Sequence, residues 1–402
     1  MGYGMSKEKN GKAKKPKNKK PRNNKKILNI SIISFIIVLI LVSIILYTYN
    51  QATREFFDKY LFRKDVYENN LPFITIDGIN AENIYAYGKN ILILEGNTLR
   101  GYNKMGQEEY TIDVSIRTPL FASSGNYLCL ADKNGKRIYL ISGKNIIWQK
   151  ELEGEISNIC INRNGYIAVS ISDTSYKTII ETYDVNGIKL FRSYSSTANA
   201  IDIDISQDNK YLAIAEANFS GIAIQSSIKI ISIEEAKKDG PKSIVHTHKA
   251  PLGDLIINIE YNNRGNLVCM YDSYIDYIKN SVREEIVNFS SEDILFADIQ
   301  LNSCIAKVVK NYTETGENET ELHIINSSAI ENRKVYILGN TPQRIYAYDN
   351  IIAINLGTEI LFINNNGWLK KRYNSSQEVK DIVISNDLAG IIYKNKIEII
   401  SL

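Results

Sequence analysis

The chain has three histidines, and two of them are spaced in a way that could bind a metal ion. His246 and His248 are separated by one residue, so a β-strand would place both imidazoles on one face, while His323 is distant in sequence. Zinc sites use three or four protein ligands, and neither a nearby cysteine nor a nearby carboxylate completes this pair. We therefore interpret the pair as polar residues on an outer strand, and we predict no metal site and no cofactor.

Two carboxylate motifs resemble fragments of calcium-binding loops, namely Asp132–Gly135 and Asp202–Asp204. Both lack the glutamate that ends an EF-hand loop, so we interpret them as a hairpin turn and a strand end. The acidic segment Glu314–Glu321 predicts a solvated hairpin tip. The sequence contains no Gly-x-Ser-x-Gly motif, no His-Glu-x-x-His motif and no phosphate-binding glycine loop. These patterns predict no catalytic residues.

The four cysteines, Cys129, Cys160, Cys269 and Cys304, show no Cys-x-x-Cys spacing. Each lies in an apolar run of the β type, as in Tyr127-Leu128-Cys129-Leu130. Free cysteine is among the most buried residue types, so we predict that they are small core residues. Their even number leaves disulfide pairing open.

The uncharged apolar run Ile27–Tyr49 determines on which side of a membrane all these residues lie. A helix of this length would extend roughly 34 Å, enough to cross a hydrocarbon core of about 30 Å. Residues 1–26 carry eleven Lys and Arg residues against the single Glu8, and their composition predicts a disordered tail. The positive-inside rule keeps such a tail in the cytoplasm and sends the chain after Tyr49 across the membrane. We therefore expect a single-pass anchor in the plasma membrane and an extracytoplasmic domain.

A cleaved signal peptide is the alternative for the same residues. Its apolar region runs only about 7 to 15 residues and ends at a small-residue site, whereas this run is longer and passes through Tyr47 and Tyr49. We predict an uncleaved anchor. After residue 26 the chain holds 37 basic and 44 acidic residues, which argues against a nucleic-acid partner because phosphate binding needs clustered positive charge.

Residues 50–71 are predicted to form a juxtamembrane stalk. Arg54–Lys64 mixes aromatic residues with both signs of charge, which is typical of a helix at the membrane interface. Pro72 ends the helical character, and we expect the blade strands only after it.

Residues 72–402 repeat one pattern, in which an apolar strand, a turn rich in Asn, Asp and Gly, and a second apolar strand follow each other. The segments that begin at Ile84 and Ile345 show the repeat most clearly, with Ile-Tyr-Ala-Tyr in both. Candidate repeats begin near Ile84, Pro119, Ile156, Ala200, Leu255, Ile294, Arg344 and Lys380. Their spacings of 35 to 55 residues bracket those of four-stranded propeller blades.

The pattern predicts an all-β fold, an eight-bladed β-propeller, with seven blades as the alternative if Ala200–Asp254 or Ile294–Asn340 is miscounted. Second strands such as Tyr211–Ala215 are apolar on both faces, which indicates burial between stacked sheets. The last repeat, Val379–Leu402, has room for three strands only. We therefore expect Phe73–Asp77 to supply the outer strand of the last blade and close the ring.

These strand-turn-strand units, followed by segments such as Arg137–Trp148, resemble the WD40-like and quinoprotein-like propeller superfamilies. The layout resembles a family of membrane-anchored propellers of unknown function from Gram-positive bacteria. The Trp-Asp signature of WD40 blades is absent, since the two tryptophans are Trp148 and Trp368. The resemblance implies the fold and leaves the activity open.

Two functions fit this reading. The first is a binding or assembly scaffold at the cell surface, held in the lipid bilayer by residues 27–49, with a protein or a cell-envelope polymer as partner. The second is an exported enzyme that uses the central funnel, which requires carboxylates, His or Arg to converge at the ends of the inner strands. Few titratable residues recur there, Asp202 and Asp381 being the exceptions, so the sequence favours the scaffold.

Overall fold

A computed structural model describes residues 24–67, 71–239, 243–279, 282–291, 293–312, 318–327 and 329–402. The chain divides into two compact units, Met1–Phe57 and Asp58–Leu402. The residues of the basic tail before Asn24, for which we predict disorder, lie outside the described residues.

The first unit contains helix α1 (Asn24–Tyr49) and most of helix α2 (Gln51–Tyr60). Asn50 is the N-cap of α2, because its side-chain oxygen accepts a hydrogen bond from the N–H of Thr53 at 2.9 Å. In α1, the hydroxyl of Ser43 donates to the carbonyl of Leu39 at 2.9 Å, so this polar group is satisfied inside the helix. Among the described residues, one segment, Ile32–Tyr49, is helical, long and apolar enough to cross a membrane, and a signal sequence would meet the same criteria.

The second unit is an eight-bladed β-propeller. Two strands precede the repeats, β1 (Asp65–Tyr67) and β2 (Phe73–Thr75). Blade 1 contains β3 (Ile84–Tyr87), β4 (Asn90–Glu95), β5 (Thr98–Tyr102) and β6 (Glu108–Asp113). Blade 2 contains β7 (Pro119–Ser124), β8 (Tyr127–Asp132), β9 (Arg137–Ser142) and β10 (Asn145–Glu151). Blade 3 contains β11 (Glu155–Ile161), β12 (Ile167–Ser172), β13 (Thr178–Tyr183) and β14 (Lys189–Ser195). Blade 4 contains β15 (Asn199–Ile205), β16 (Tyr211–Asn218), β17 (Gln225–Ser232) and β18 (Ile244–Lys249), with helix α3 (Ile233–Ala236) between the last two.

The second half of the ring follows the same plan. Blade 5 contains β19 (Ile256–Tyr261), β20 (Leu267–Tyr271), β21 (Tyr274–Lys279) and β22 (Val282–Asn288). Blade 6 contains β23 (Ile294–Leu301), β24 (Cys304–Tyr312), β25 (Asn318–Asn326) and β26 (Ala329–Leu338). Blade 7 contains β27 (Arg344–Tyr348), β28 (Ile351–Asn355), β29 (Glu359–Asn364) and β30 (Leu369–Asn374). Blade 8 contains β31 (Asp381–Ile384), β32 (Leu388–Ile392) and β33 (Lys396–Ser401), and short 3₁₀ turns occur at Ala81–Asn83 and Phe289–Ser291.

The predicted ring closure is confirmed. Strand β2 pairs antiparallel with β33 as the outer strand of blade 8, with Phe73 opposite Glu398, Ile74 opposite Ile397 and Thr75 opposite Lys396. Because the first and last segments share one sheet, the edge strand of the incomplete blade is paired. Eight blades, and not the alternative of seven, make up the ring.

A fifth strand on blade 7 corrects the expectation that no blade strand precedes Pro72. Strand β1 pairs parallel to β30, with Val66 opposite Tyr373. The Lys64 ammonium lies 2.8 Å from the carboxylate of the buried Asp58 and donates to the carbonyl of Leu369 at 2.6 Å. Part of the predicted stalk therefore belongs to the propeller.

The core lies between the blades, as the double-faced second strands predict. In β16, Leu212 and Ile214 pack toward blade 3, whereas Ala213 and Ala215 pack toward blade 5. All of these side chains are almost fully buried. Each second strand therefore contributes to two interblade layers, so neighbouring blades depend on each other for burial. The four cysteines are free and buried, which confirms their predicted place in the core.

Candidate functional site

The first strand of each blade surrounds the central channel, and four of these inner strands are bulged near their first residues. In β11, β15, β19 and β23 the register shifts just before Asn158, Asp202, Asn258 and Phe296. A β-bulge bends its strand and re-aims the next side chain. The inner strands of the other four blades pair without such a shift. The bulged half of the ring is also where acidic residues collect.

Asp202 and Asp204 join three neighbouring blades at the channel. The amide of Asn158 in blade 3 donates to Asp202 Oδ1 at 3.1 Å, and Asp202 Oδ2 accepts the N–H of Ile259 in blade 5 at 2.9 Å. Asp204 Oδ2 accepts the N–H of Tyr261 at 2.6 Å. The two carboxylates alternate along β15 and therefore share one face of that strand. Both satisfy backbone donors of the next inner strand, which is a structural role.

Glu260 and Asp298 extend this acidic cluster, because Glu260 interacts electrostatically with both aspartates of β15 and with Asp298. Burial raises the pKa of Asp202 and the pKa of Asp298 to about 6. Burial also raises the pKa of Asp204 and the pKa of Glu260, and repulsion between the neighbouring carboxylates raises them further. Buried carboxylates that lie close together resist ionisation, so part of this cluster stays protonated at neutral pH.

The opposite half of the channel is aromatic. The Tyr85 ring of blade 1 stacks on Phe121 of blade 2, with centroids 5.0 Å apart and planes 10° from parallel. The Ser123 hydroxyl lies 3.0 Å from the Tyr85 hydroxyl and 2.6 Å from that of Tyr348, which comes from blade 7. Hydrogen bonds therefore join side chains of three blades across this part of the channel.

Asp381, the other titratable residue singled out from the sequence, lies apart from this network. Its carboxylate is 3.6 Å from Arg344, whose guanidinium also lies 4.9 Å from the centre of the Tyr346 ring. Arg344 is well exposed, so this pair contributes little to stability. The structure thus brings Asp202 together with Asp204, Glu260 and Asp298. Asp381 lies outside this cluster.

The remaining candidates from the sequence occupy ordinary positions. His246 and His248 lie on β18, the outer strand of blade 4, with ring centroids 6.2 Å apart, and His323 lies in β25 of blade 6. In the described part of the chain, no group of three or more His, Cys, Asp or Glu residues could hold a metal ion. Asp132 begins the β8–β9 turn, where it accepts the N–H groups of Arg117 and Thr118 at 2.9 and 3.0 Å. Of the acidic segment Glu314–Glu321, residues 314–317 lie outside the described residues, and the rest belongs to β25.

The turns between the first and second strands, together with those between the third and fourth strands, form what we call the amide face. Asn162 donates to the side-chain oxygen of Asn209 in the next blade at 2.6 Å, and Asn263 likewise donates to Asn302 at 2.5 Å. Asn365 donates to Asn350 at 2.9 Å within blade 7. Asparagine in these turns therefore does more than permit tight backbone geometry, because its amide fastens one blade to the next.

One groove opens on the amide face where blades 5, 6 and 7 meet, with a volume of about 450 Å³. We call it the amide groove. Among the described residues that line it, one is charged, Lys334, and two are apolar, Cys304 and Ile324. The other lining residues are Asn263, Asn302, Ser303, Asn326, Asn332, Asn365 and Asn366. No motif in the sequence points to this groove, although the recurrence of Asn in corresponding turns signals the face that holds it.

These features define an eight-bladed propeller with an acidic and aromatic channel and an amide-rich turn face. The chain belongs to a family of unknown function, DUF5711, whose model matches residues 70–402. No curated protein matches the sequence.

Solved structures with similar folds include other propellers. BamB from Moraxella catarrhalis is 10% identical, with a TM-score of 0.46, and the match covers 82% of this chain and 100% of that chain. The dihydro-heme d1 dehydrogenase NirN, in complex with DHE, is 9% identical, with a TM-score of 0.50 and coverage of 82% and 72%. The Cps50 (Swd1) propeller domain from Myceliophteria thermophila is 10% identical, with a TM-score of 0.43 and coverage of 82% and 100%. At these identities the similarity shows the fold alone.

Proposed function

We propose that this protein is a membrane-anchored scaffold, with its N-terminus in the cytoplasm and its propeller outside, that binds a protein or envelope polymer at the cell surface. Residues 27–49 hold it in the bilayer as a single uncleaved span. The eleven basic residues before that span support this orientation.

The observation that carries the scaffold role is the use of the channel carboxylates. Asp202 and Asp204 accept backbone N–H groups of blade 5, so the acids that a funnel enzyme would aim at its substrate hold neighbouring blades together. The hydrogen bonds between Tyr348, Ser123 and Tyr85 occupy the opposite half of the channel. The amide face instead presents exposed polar side chains, such as those of Asn263 and Asn366, that a partner can reach.

An enzyme that uses the channel is the second candidate, and Glu260 is the observation that favours it. Its carboxyl pKa is raised by burial and by four neighbouring aspartates, as in many general acids. Within the described residues its side chain makes no hydrogen bond, so the blade-joining role of Asp202 and Asp204 does not extend to it.

Site-specific photocrosslinking in living cells tests the scaffold against this alternative. A benzophenone amino acid would replace Asn366 on the amide face or, as a control, Val282 on an exposed outer strand. We expect a discrete crosslinked product at Asn366 and none at Val282. Equal labelling at both positions, or none at either, contradicts a partner on the amide face.

A further inference from the structure

We propose that the amide groove binds a segment of an N-acetylated sugar polymer. This inference rests on the scaffold function proposed above and names the chemistry of its partner. The groove has a volume of about 450 Å³, within the range of about 300 to 1,000 Å³ that is usual for small-ligand sites.

The lining favours a neutral ligand that is both donor and acceptor. Each asparagine amide offers two N–H donors and a carbonyl acceptor, so it can pair with a sugar hydroxyl or with both ends of an acetamido group. The described lining residues include no carboxylate to attract a cation, and the one ammonium among them, Lys334, can face an isolated anionic substituent of the polymer. The same lining disfavours nucleic acid, whose phosphates need several cations.

Part of the groove is preorganised. Asn263 donates to Asn302, the Asn302 amide lies 3.4 Å from Asn350 Oδ1, and Asn365 donates to the same Asn350 oxygen. The Ser303 hydroxyl also donates to Asn302 Oδ1 at 3.2 Å. Side chains already fixed by such bonds lose little further rotamer freedom when a ligand binds.

Other polar groups of the groove are available to a ligand. Among the described residues, the side chains of Asn332, Lys334 and Asn366 make no hydrogen bond or ion pair, and all three are exposed. Asn332 and Lys334 alternate along β26, so they share a face of that strand, and Asn366 comes from the β29–β30 turn of the next blade. A ligand can therefore reach unpaired donors and acceptors from both blades.

A peptide is the less favoured occupant. Peptide-binding sites derive most of their affinity from a few apolar or aromatic anchors in desolvated pockets. None of the described lining residues is aromatic, and Cys304 is almost fully buried, which leaves Ile324 as their apolar contribution. An extended peptide could still pair with the edge of β26, so a peptide probe belongs in the test.

The test is a calorimetric titration of the full chain in detergent micelles with tri-N-acetylchitotriose. Maltotriose serves as the probe of equal length that lacks acetamido groups, and a threonine-rich heptapeptide probes strand pairing. The variant combines Asn332→Ala and Asn366→Ala, both at exposed positions. Its matched control is Asn186→Ala, because Asn186 occupies the same place in an Asp184–Gly187 turn of blade 3 as Asn366 does in its own turn.

We expect chitotriose to bind the wild type and the Asn186→Ala control within twofold of each other, and the double variant at least tenfold more weakly. Maltotriose should bind at least tenfold more weakly than chitotriose. Undetectable chitotriose binding, equal affinity for the two sugars, an unaffected double variant or tighter binding of the heptapeptide would each overturn the assignment. Such a result leaves the scaffold proposal standing if Asn366 still crosslinks in cells, so the two failures are distinguishable.

Discussion

Ring closure by β2 can be tested with two substitutions in a single strand. Ile74 is 4% exposed and packs in the layer between blades 8 and 1, whereas its neighbour Phe73 is 57% exposed. Replacing a buried isoleucine with alanine removes apolar contacts and leaves a cavity, at a cost of about 2–5 kcal/mol. Replacing the exposed Phe73 with alanine should cost much less, although both variants keep the backbone pairing with β33.

The assay is thermal unfolding of the full chain in detergent, followed by circular dichroism in the β-sheet region. For a domain of this size, each kcal/mol shifts Tm by about 2 °C, so Ile74→Ala should lower Tm by about 4–10 °C. Phe73→Ala should stay within about 2 °C of the wild type. Equal Tm values for the two variants would refute the view that burial of β2 stabilises the closed ring.

Three further outcomes follow from the structure. Lys64→Met removes the ion pair with buried Asp58 and the hydrogen bond to the Leu369 carbonyl, so the backbone amides of β30 should lose protection from hydrogen exchange. The control Lys59→Met, at an exposed position, should leave this protection unchanged. Identical exchange in both variants would contradict the docking of β1. The folded-state pKa values of Asp202 and Asp204 lie above those of the unfolded chain, so their contribution to stability is complete below about pH 4 and is lost as pH rises through the folded pKa values. Asp204→Asn removes one of these titrations, so the Tm of the variant relative to that of the wild type should be higher at pH 8 than at pH 5. An equal Tm difference at both pH values would be inconsistent with burial of the acid. Protease added to intact cells stripped of their wall should digest the region after Tyr49 and spare the tail, whereas protection of the propeller would reverse the proposed orientation.

Most of the fold could be predicted because its signals are local. Each of the eight repeat starts predicted from the sequence lies within one residue of an inner strand, as Ile84, Pro119 and Arg344 illustrate. Strand β2 could be predicted from the number of strands in each repeat, since the last repeat lacks room for a fourth strand. Strand β1 could not be found in this way, because three residues carry no periodic signal and parallel pairing with β30 joins positions about 300 residues apart.

The acidic cluster was only partly visible in the sequence. The sequence indicates that Asp202 is a titratable residue near the end of an inner strand and that Asp204 belongs to the same strand end. Glu260 and Asp298 give no such signal, because each is the one acidic residue in its strand and belongs to no motif. What unites the four is the ring, which places successive inner strands side by side and aims the side chains after the bulges of β11 and β15 at their neighbours.

The amide face shows how a feature of the surface can be hidden in a repeat. Asn162 and Asn209 are 47 residues apart, Asn263 and Asn302 are 39 apart, and Asn302 and Asn350 are 48 apart. These separations match the blade period, so the contacts join equivalent turns of successive blades. In any one hairpin an Asn-rich turn is explained by its tolerance of positive φ, and that local explanation is sufficient. Only the packing of successive blades joins the same residues into rows of amides, which is why the groove between blades 5, 6 and 7 is a property of the fold and not of any single motif.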